Sequence, residues 1–156
     1  MRFSSRVTGL LEKAGWHDGR RVPFELPKEW HDSDLVLHEA ARSVLREFYD
    51  LRIACESNPV HHEDFVGSVD VLVTYRGATP MIIDTLRKST ECEFVCVALV
   101  ECEDEIFIDR LGRIIYNHYD LYYYASSFDN FLERILTGTR RESPPEDLQP
   151  GIWKLL

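Results

Sequence analysis

Apolar residues near the start of the chain recur every three to four positions. Phe3, Val7, Leu10, Leu11 and Ala14 form one stripe, with Arg6, Glu12 and Lys13 on the other side. This period predicts a helix over residues 4–14, stopped by Gly15 as a C-cap, after which Trp16 can fold back onto the core. Pro23 and Pro27 keep residues 22–31 extended, because proline lacks the amide donor and clashes with the preceding turn. Leu37, Ala40, Ala41, Val44, Leu45 and Phe48 then resume the helical period, with Asp32 or Ser33 as the expected N-cap and Leu51 closing the run. A third helix is predicted over 128–138, where Phe128, Phe131, Leu132, Ile135 and Leu136 share a face. Ser126 or Ser127 would cap it, and Gly138 would end it.

From Arg52 the period changes to two. Val69, Val71, Val73 and Tyr75 alternate with Asp70, Leu72 and Thr74, as in a strand buried mainly on one face. A turn at 76–80 and a short strand at 81–83 follow, and the apolar run Phe94–Val100 reads as a central strand. Residues 105–109 and 113–117 are expected to pair across Arg110-Leu111-Gly112, with glycine supplying positive φ. Residues 119–125 add an edge segment. Consecutive strands joined by short loops imply a mainly antiparallel sheet. Residues 139–156 form a tail with Pro144, Pro145 and Pro150, whose apolar end at 152–156 is expected to dock on the body or on a partner.

Composition fits one domain. A chain of 156 residues that is 44% hydrophobic, with three Trp, seven Tyr and eight Phe, can fill a core. No apolar run approaches the roughly 20 residues that span a bilayer, and the N-terminus lacks a basic patch leading into an apolar one, so a cytoplasmic protein is expected. Asp and Glu number 27 against 18 Lys and Arg, a net charge of −9. Such a surface disfavours nucleic acid and anionic membranes and speeds the approach of basic partners, although solubility alone also explains an acidic chain.

The sequence offers little for catalysis. Cys55, Cys92, Cys96 and Cys102 contain no C-x-x-C pair and read as reduced structural residues. His61-His62-Glu63-Asp64 is the only dense set of metal-ligand types. Zinc usually needs three or four ligands, and His17, His31, His38 and His118 are scattered, so a solvated loop is the expectation and no metal or cofactor is assigned. Neither glycine-rich phosphate loop nor G-x-S-x-G elbow occurs. The chain is therefore expected not to be an enzyme, with a metal-dependent hydrolase using residues 61–64 as the least favoured alternative.

Two clusters suit protein recognition. Glu91, Glu93, Glu101, Glu103, Asp104, Glu105 and Asp109 concentrate negative charge for the Arg and Lys of a basic partner. Tyr116, Tyr119, Tyr122, Tyr123 and Tyr124 supply rigid rings with polar handles. The expected contact set is Glu101, Glu103, Asp104, Glu105, Asp109, Tyr119, Tyr122 and Tyr123. A solvated rim for the first cluster and plain core for the second stand beside that reading.

The order of several segments carries a resemblance. Ala14-Gly15-Trp16 with Gly19-Arg20, the helix Ala41 to Phe48, the hairpin Ile108-Asp109 to Gly112-Arg113-Ile114-Ile115-Tyr116, and the closing Ser127-Phe128 to Gly138 helix follow one another as in the SUKH superfamily (SMI1/KNR4-like). The chain most resembles the SUKH-3 branch. The resemblance covers nearly everything to Gly138, giving a domain at 1–138 and a tail at 139–156. It implies a single-domain α+β fold, with a mixed, mostly antiparallel sheet of about six strands flanked by helices. It also implies an immunity protein that neutralises a cognate polymorphic toxin, such as a nuclease, by occluding it. Eukaryotic members imply the alternative of a regulatory or scaffolding adaptor. Two places depart from the family pattern: Cys96-Val97-Ala98-Leu99 replaces a Pro-Ile-Gly-like step, and Phe48-Tyr49-Asp50 replaces a Phe-Gly-Gly-like turn.

Overall fold

A computed structural model describes residues 2–28, 36–55, 67–71, 86–87, 93–118 and 120–145. Among them, three helices and six strands run in the order α1 (Ser5–Lys13), α2 (Glu39–Phe48), β1 (Leu51–Cys55), β2 (Gly67–Val71), β3 (Phe94–Val100), β4 (Asp104–Asp109), β5 (Ile114–His118), β6 (Asp120–Ala125) and α3 (Phe128–Thr137). The strands form one sheet in sequence order, every neighbour antiparallel. This is the expected α+β architecture of six strands and flanking helices. The strand expected at 81–83, and residues 72–75 of the one before it, lie outside the described residues.

Local chemistry accounts for the helix ends. Ser4 Oγ accepts from Val7 N, and Ser127 Oγ accepts from Asn130 N at 3.2 Å. Gly138, at φ 73°, closes α3 in the left-handed conformation that glycine adopts without steric penalty. Helix α2 starts later than its apolar period suggests. Residues 36–38 are not helical, and His38, in extended backbone, is the N-cap. Its Nδ1 accepts from Ala41 N at 3.3 Å and its Nε2 donates to Ile108 O at 3.2 Å. Burial lowers the ring's pKa below the usual imidazole value, outweighing the bond to Ile108 O, which acts the other way. The caps expected at Asp32 and Ser33 lie outside the described residues.

Strand β1 is a correction to the sequence reading, in which Leu51 closes the second helix. Tyr49 leaves the helix with ψ 140°, and Asp50 sits at φ 63° with its N–H on Val71 O. Asp50 thus takes the left-handed conformation that glycine adopts most readily. Buried Leu51 and Ile53 then alternate with exposed Arg52 and Ala54. The second departure also has a structural counterpart. A register shift between Cys96 and Ala98 marks a bulge in β3, so Val97 and Ala98 both join the helix-side core.

The sheet buries both faces. On one, all three helices cover Val95, Val97, Ile106, Ile108, Ile114, Tyr116 and Tyr124. On the other, Phe94, Cys96, Leu99, Phe107, Ile115, Leu121 and Tyr123 pack together with Leu86. Trp16 folds back as expected. It stacks on Phe48 at 6.4 Å, meets Phe3 edge-on, and donates Nε1–H to Glu47. No helix among the described residues is long and apolar enough to cross a membrane.

Candidate functional site

The acidic stretch is threaded through the β3–β4 hairpin. Glu103 N donates to Val100 O at 3.1 Å, closing a turn whose central residues, Glu101 and Cys102, both have positive φ (57° and 63°). Glycine and asparagine usually hold such positions, and each ordinary side chain there costs about 1 kcal/mol or more. Glu101 N also donates to Ser68 O at 2.9 Å, tying the turn to β2. The turn presents Glu103 to solvent and leaves Glu101 half-buried.

Beyond the turn, the pleat sends neighbouring carboxylates to opposite faces. Asp104 points to the helix side. Its Oδ2 accepts from Tyr116 Oη at 2.6 Å and its Oδ1 from His118 Nδ1 at 2.7 Å. Burial, reinforced by that carboxylate, pushes the Tyr116 hydroxyl pKa well up. Glu105 lies on the far face, 5% exposed, and accepts from Asn117 Nδ2 at 3.1 Å. Asp109 is 1% exposed and serves its own turn. Its Oδ1 accepts from Leu111 N and Arg113 N, both at 2.9 Å, and its Oδ2 from Arg113 Nε at 2.6 Å. Gly112, at φ 86°, completes that turn in the conformation expected of it.

The tyrosines divide in the same way. Tyr122 and Tyr124 face the helix side, and Tyr123 the far side. Tyr122 is half-buried under the Arg141 guanidinium, 4.7 Å from its ring centroid. Tyr123 is buried and donates to Glu142 Oε2 at 3.3 Å. Burial first, then the Glu142 charge, push its pKa up to about 12. Tyr119 lies outside the described residues. Of the eight expected contact residues, the structure therefore brings Asp104 and Tyr122 to the helix-side face and sets Glu101 and Glu103 in the turn at the end of the β3–β4 hairpin. It places Glu105, Asp109 and Tyr123 in the opposite, buried layer.

Sequence reading did not single out the strap formed by residues 138–144. Glu142 N pairs with Tyr124 O at 2.9 Å on the edge of β6. Its carboxylate accepts from Ser126 N at 2.9 Å, Asn130 Nδ2 at 3.1 Å and Arg134 Nε at 3.3 Å. Burial alone would raise the Glu142 pKa, but the bonds from Ser126 and the Arg134 charge outweigh it and hold the carboxyl below its usual range. The described part of the tail thus docks through an acidic anchor, and the apolar end at 152–156 lies outside the described residues. Between strap and sheet opens a cleft of about 750 Å³, lined by Tyr116, His118, Tyr122, Tyr124, Arg140 and Arg141 among others. The available signal was the Arg140-Arg141 pair, a local excess of positive charge in an acidic chain.

Among the described residues no group of three or more His, Cys, Asp or Glu is placed to hold a metal, and residues 61–64 lie outside them. Cys96 is buried in the sheet with its Sγ 3.6 Å from Ala98 O, and Cys102 Sγ donates to Asp70 Oδ2 at 3.4 Å. A family model described as SUKH-3 immunity protein matches residues 3–138. The chain belongs to the SUKH-3 immunity protein family. No curated protein matches the chain, and no solved structure does.

The SUKH-3 match spans the β3–β4 turn and both tyrosine-bearing strands, and it stops before Arg140. The residues that carry the resemblance are structural in this chain. Gly15 and Gly19 hold positive φ on either side of Trp16, and Arg20 caps the end of α2 through Glu47 O at 2.5 Å and Tyr49 O at 2.9 Å. Asp109, Gly112 and Arg113 shape the hairpin, and Ser127 caps α3. These residues explain how the SUKH-3 fold is held.

Proposed function

We propose that this SUKH-3 protein is a cytoplasmic immunity protein that binds a cognate polymorphic toxin, such as a nuclease module, and neutralises it by occlusion without converting any substrate. The family match over residues 3–138 carries the reading. The helix-side end of the hairpin sheet supplies the contact surface. Glu101, Glu103 and Asp104 provide negative potential there, and Tyr122, with Tyr119 beside it in sequence, provides aromatic area. Glu105, Asp109 and Tyr123 support that surface from behind.

A net charge of −9 and a solvent-facing acidic turn favour a partner with a basic surface, approached by electrostatic steering. A stable complex of this kind buries roughly 1,200–2,000 Å² in total. The adaptor alternative would use the same fold on a non-toxin protein, and membership of an immunity family favours the first reading. The test is co-expression with the toxin domain encoded beside the gene. The expected result is restored growth and a co-purifying complex. Cells that die in the presence of the folded protein, with no complex formed, would overturn it.

A further inference from the structure

The cleft under the strap has chemistry opposite in sign to the acidic turn beside it. Its neighbouring carboxylates are already engaged: Asp104 accepts from Tyr116 and His118, and Glu142 from Ser126, Asn130 and Arg134. Neither Arg140 nor Arg141 forms an ion pair with a carboxylate among the described residues, and Arg141 lies over the Tyr122 ring. Tyr124 is 4% exposed, and its buried hydroxyl has no hydrogen-bond partner among the described residues. Burial pushes its pKa up to about 12, so the hydroxyl keeps its proton and acts as a donor. A buried donor left unpaired is costly, and an incoming acceptor removes that cost. Two guanidinium groups and an unpaired hydroxyl around tyrosine walls call for a ligand that is an acceptor, is anionic and has an apolar stem.

We propose that this cleft seats a carboxylate-bearing segment of the protein partner, with an Asp or Glu side chain reaching Arg140, Arg141 and Tyr124. This deepens the toxin-binding reading and rests on it. The partner meets the acidic turn with basic residues and enters the cleft with an acidic one. A volume of about 750 Å³ accommodates a short turn as readily as a single side chain. A lysine or arginine finds the like charge of Arg140 and Arg141 there. The Arg140–Arg141 rim lies beyond the matched segment at 3–138, so the pairing does not rest on the family match.

The test needs no toxin. The full chain is labelled with 3-fluorotyrosine, its fluorine resonances are assigned by Tyr→Phe substitution, and it is titrated with N-acetylglutamate methylamide or the matching glutamine derivative. The proposal predicts saturable shifts at Tyr122 and Tyr124 with the glutamate probe only. Arg140→Ala with Arg141→Ala should weaken the response about tenfold or more. Tyr124→Phe should weaken it while the melting temperature stays level or rises, because an unpaired hydroxyl has been removed. A tyrosine with a purely structural hydroxyl would lose stability instead. Equal response to glutamine, or a response that persists without both arginines, would overturn the proposal. So would movement of the Tyr124 resonance in a Trp153→Ala chain without any probe, which would assign the cleft to the chain's own C-terminal segment. Any of these failures would leave toxin binding, tested by co-expression, standing.

Discussion

Asp109 separates a scaffold role from a contact role more sharply than any other acidic residue. Its carboxylate is 1% exposed, accepts two backbone amides at 2.9 Å and pairs with Arg113 Nε at 2.6 Å. The Arg113 side chain is itself only 13% exposed, so solvent screens the pair weakly. Replacing Asp109 by Ala strands two amides and a largely buried guanidinium. Hydrogen bonds to a charged group are worth about 1.5–3 kcal/mol each, and breaking a buried pair costs about 3–5 kcal/mol. The same bonds enter both figures, so the expected loss is about 4 kcal/mol rather than their sum. With a urea m-value of about 2 kcal/mol/M, the unfolding midpoint should fall by ~2 M at unchanged m. Asp109→Asn keeps the amide acceptor but loses the charge, and should cost about half as much. Urea unfolding followed by far-UV circular dichroism reads both. If Asp109→Ala lost less than about 1 kcal/mol while partner binding collapsed, the turn-holding assignment would be wrong and Asp109 would be a contact residue.

Other substitutions and conditions test the remaining assignments. Arg20→Ala removes the two guanidinium bonds that cap α2 and should cost about 2 kcal/mol in urea unfolding, with Arg20→Lys recovering less than half because a point charge replaces a fork. Asp50→Gly should raise stability by about 0.5 kcal/mol, because relief of the left-handed strain exceeds the added unfolded-state entropy. A loss of 1 kcal/mol or more would contradict that backbone assignment. Acidification should act in two windows. His38 has a folded pKa below its unfolded value, so its contribution is complete above pH ~6.5 and falls as pH drops through the folded value; Glu142 follows the same sign lower down, below its ordinary carboxyl range. Melting temperature against pH should therefore fall in both windows, with His38→Asn flattening the upper one and Glu142→Gln the lower one.

Elements held by short-range signals were legible. Helices α1 and α3 were placed to within a residue or two because Ser4, Ser127 and Gly138 are local caps, and β3 because seven consecutive apolar residues suit only a central strand. Strand β1 was hidden because only Leu51-Arg52-Ile53 alternates in polarity, Ala54 and Cys55 both being apolar, and the switch into it is a backbone flip at Asp50 that no glycine announces. The candidate site was legible only as a cluster. Sequence shows where Asp104, Glu105 and Asp109 fall along the chain. It does not show the cross-strand register that gives Glu105 to Asn117 and Asp104 to Tyr116. Glu101, Glu103 and Glu105 have the same parity along the chain, but the mirror-image turn at Glu101-Cys102 breaks the extended geometry in which equal parity would put them on one side. The strap was missed because its anchor, Glu142, is one acidic residue in a proline-containing tail, and its partners Tyr123, Ser126 and Asn130 lie 12 to 19 positions earlier.

Amide hydrogen exchange on the complex with the neighbouring toxin domain tests the account most directly, because it reads partner binding and its location together. Protection is predicted to appear on complex formation at residues 101–104 and 139–142, with β1 and the α1–α2 side unchanged. A stable complex whose protection lies only on β1 or those helices would contradict the assignment of the binding face, and absence of any complex would contradict the function itself.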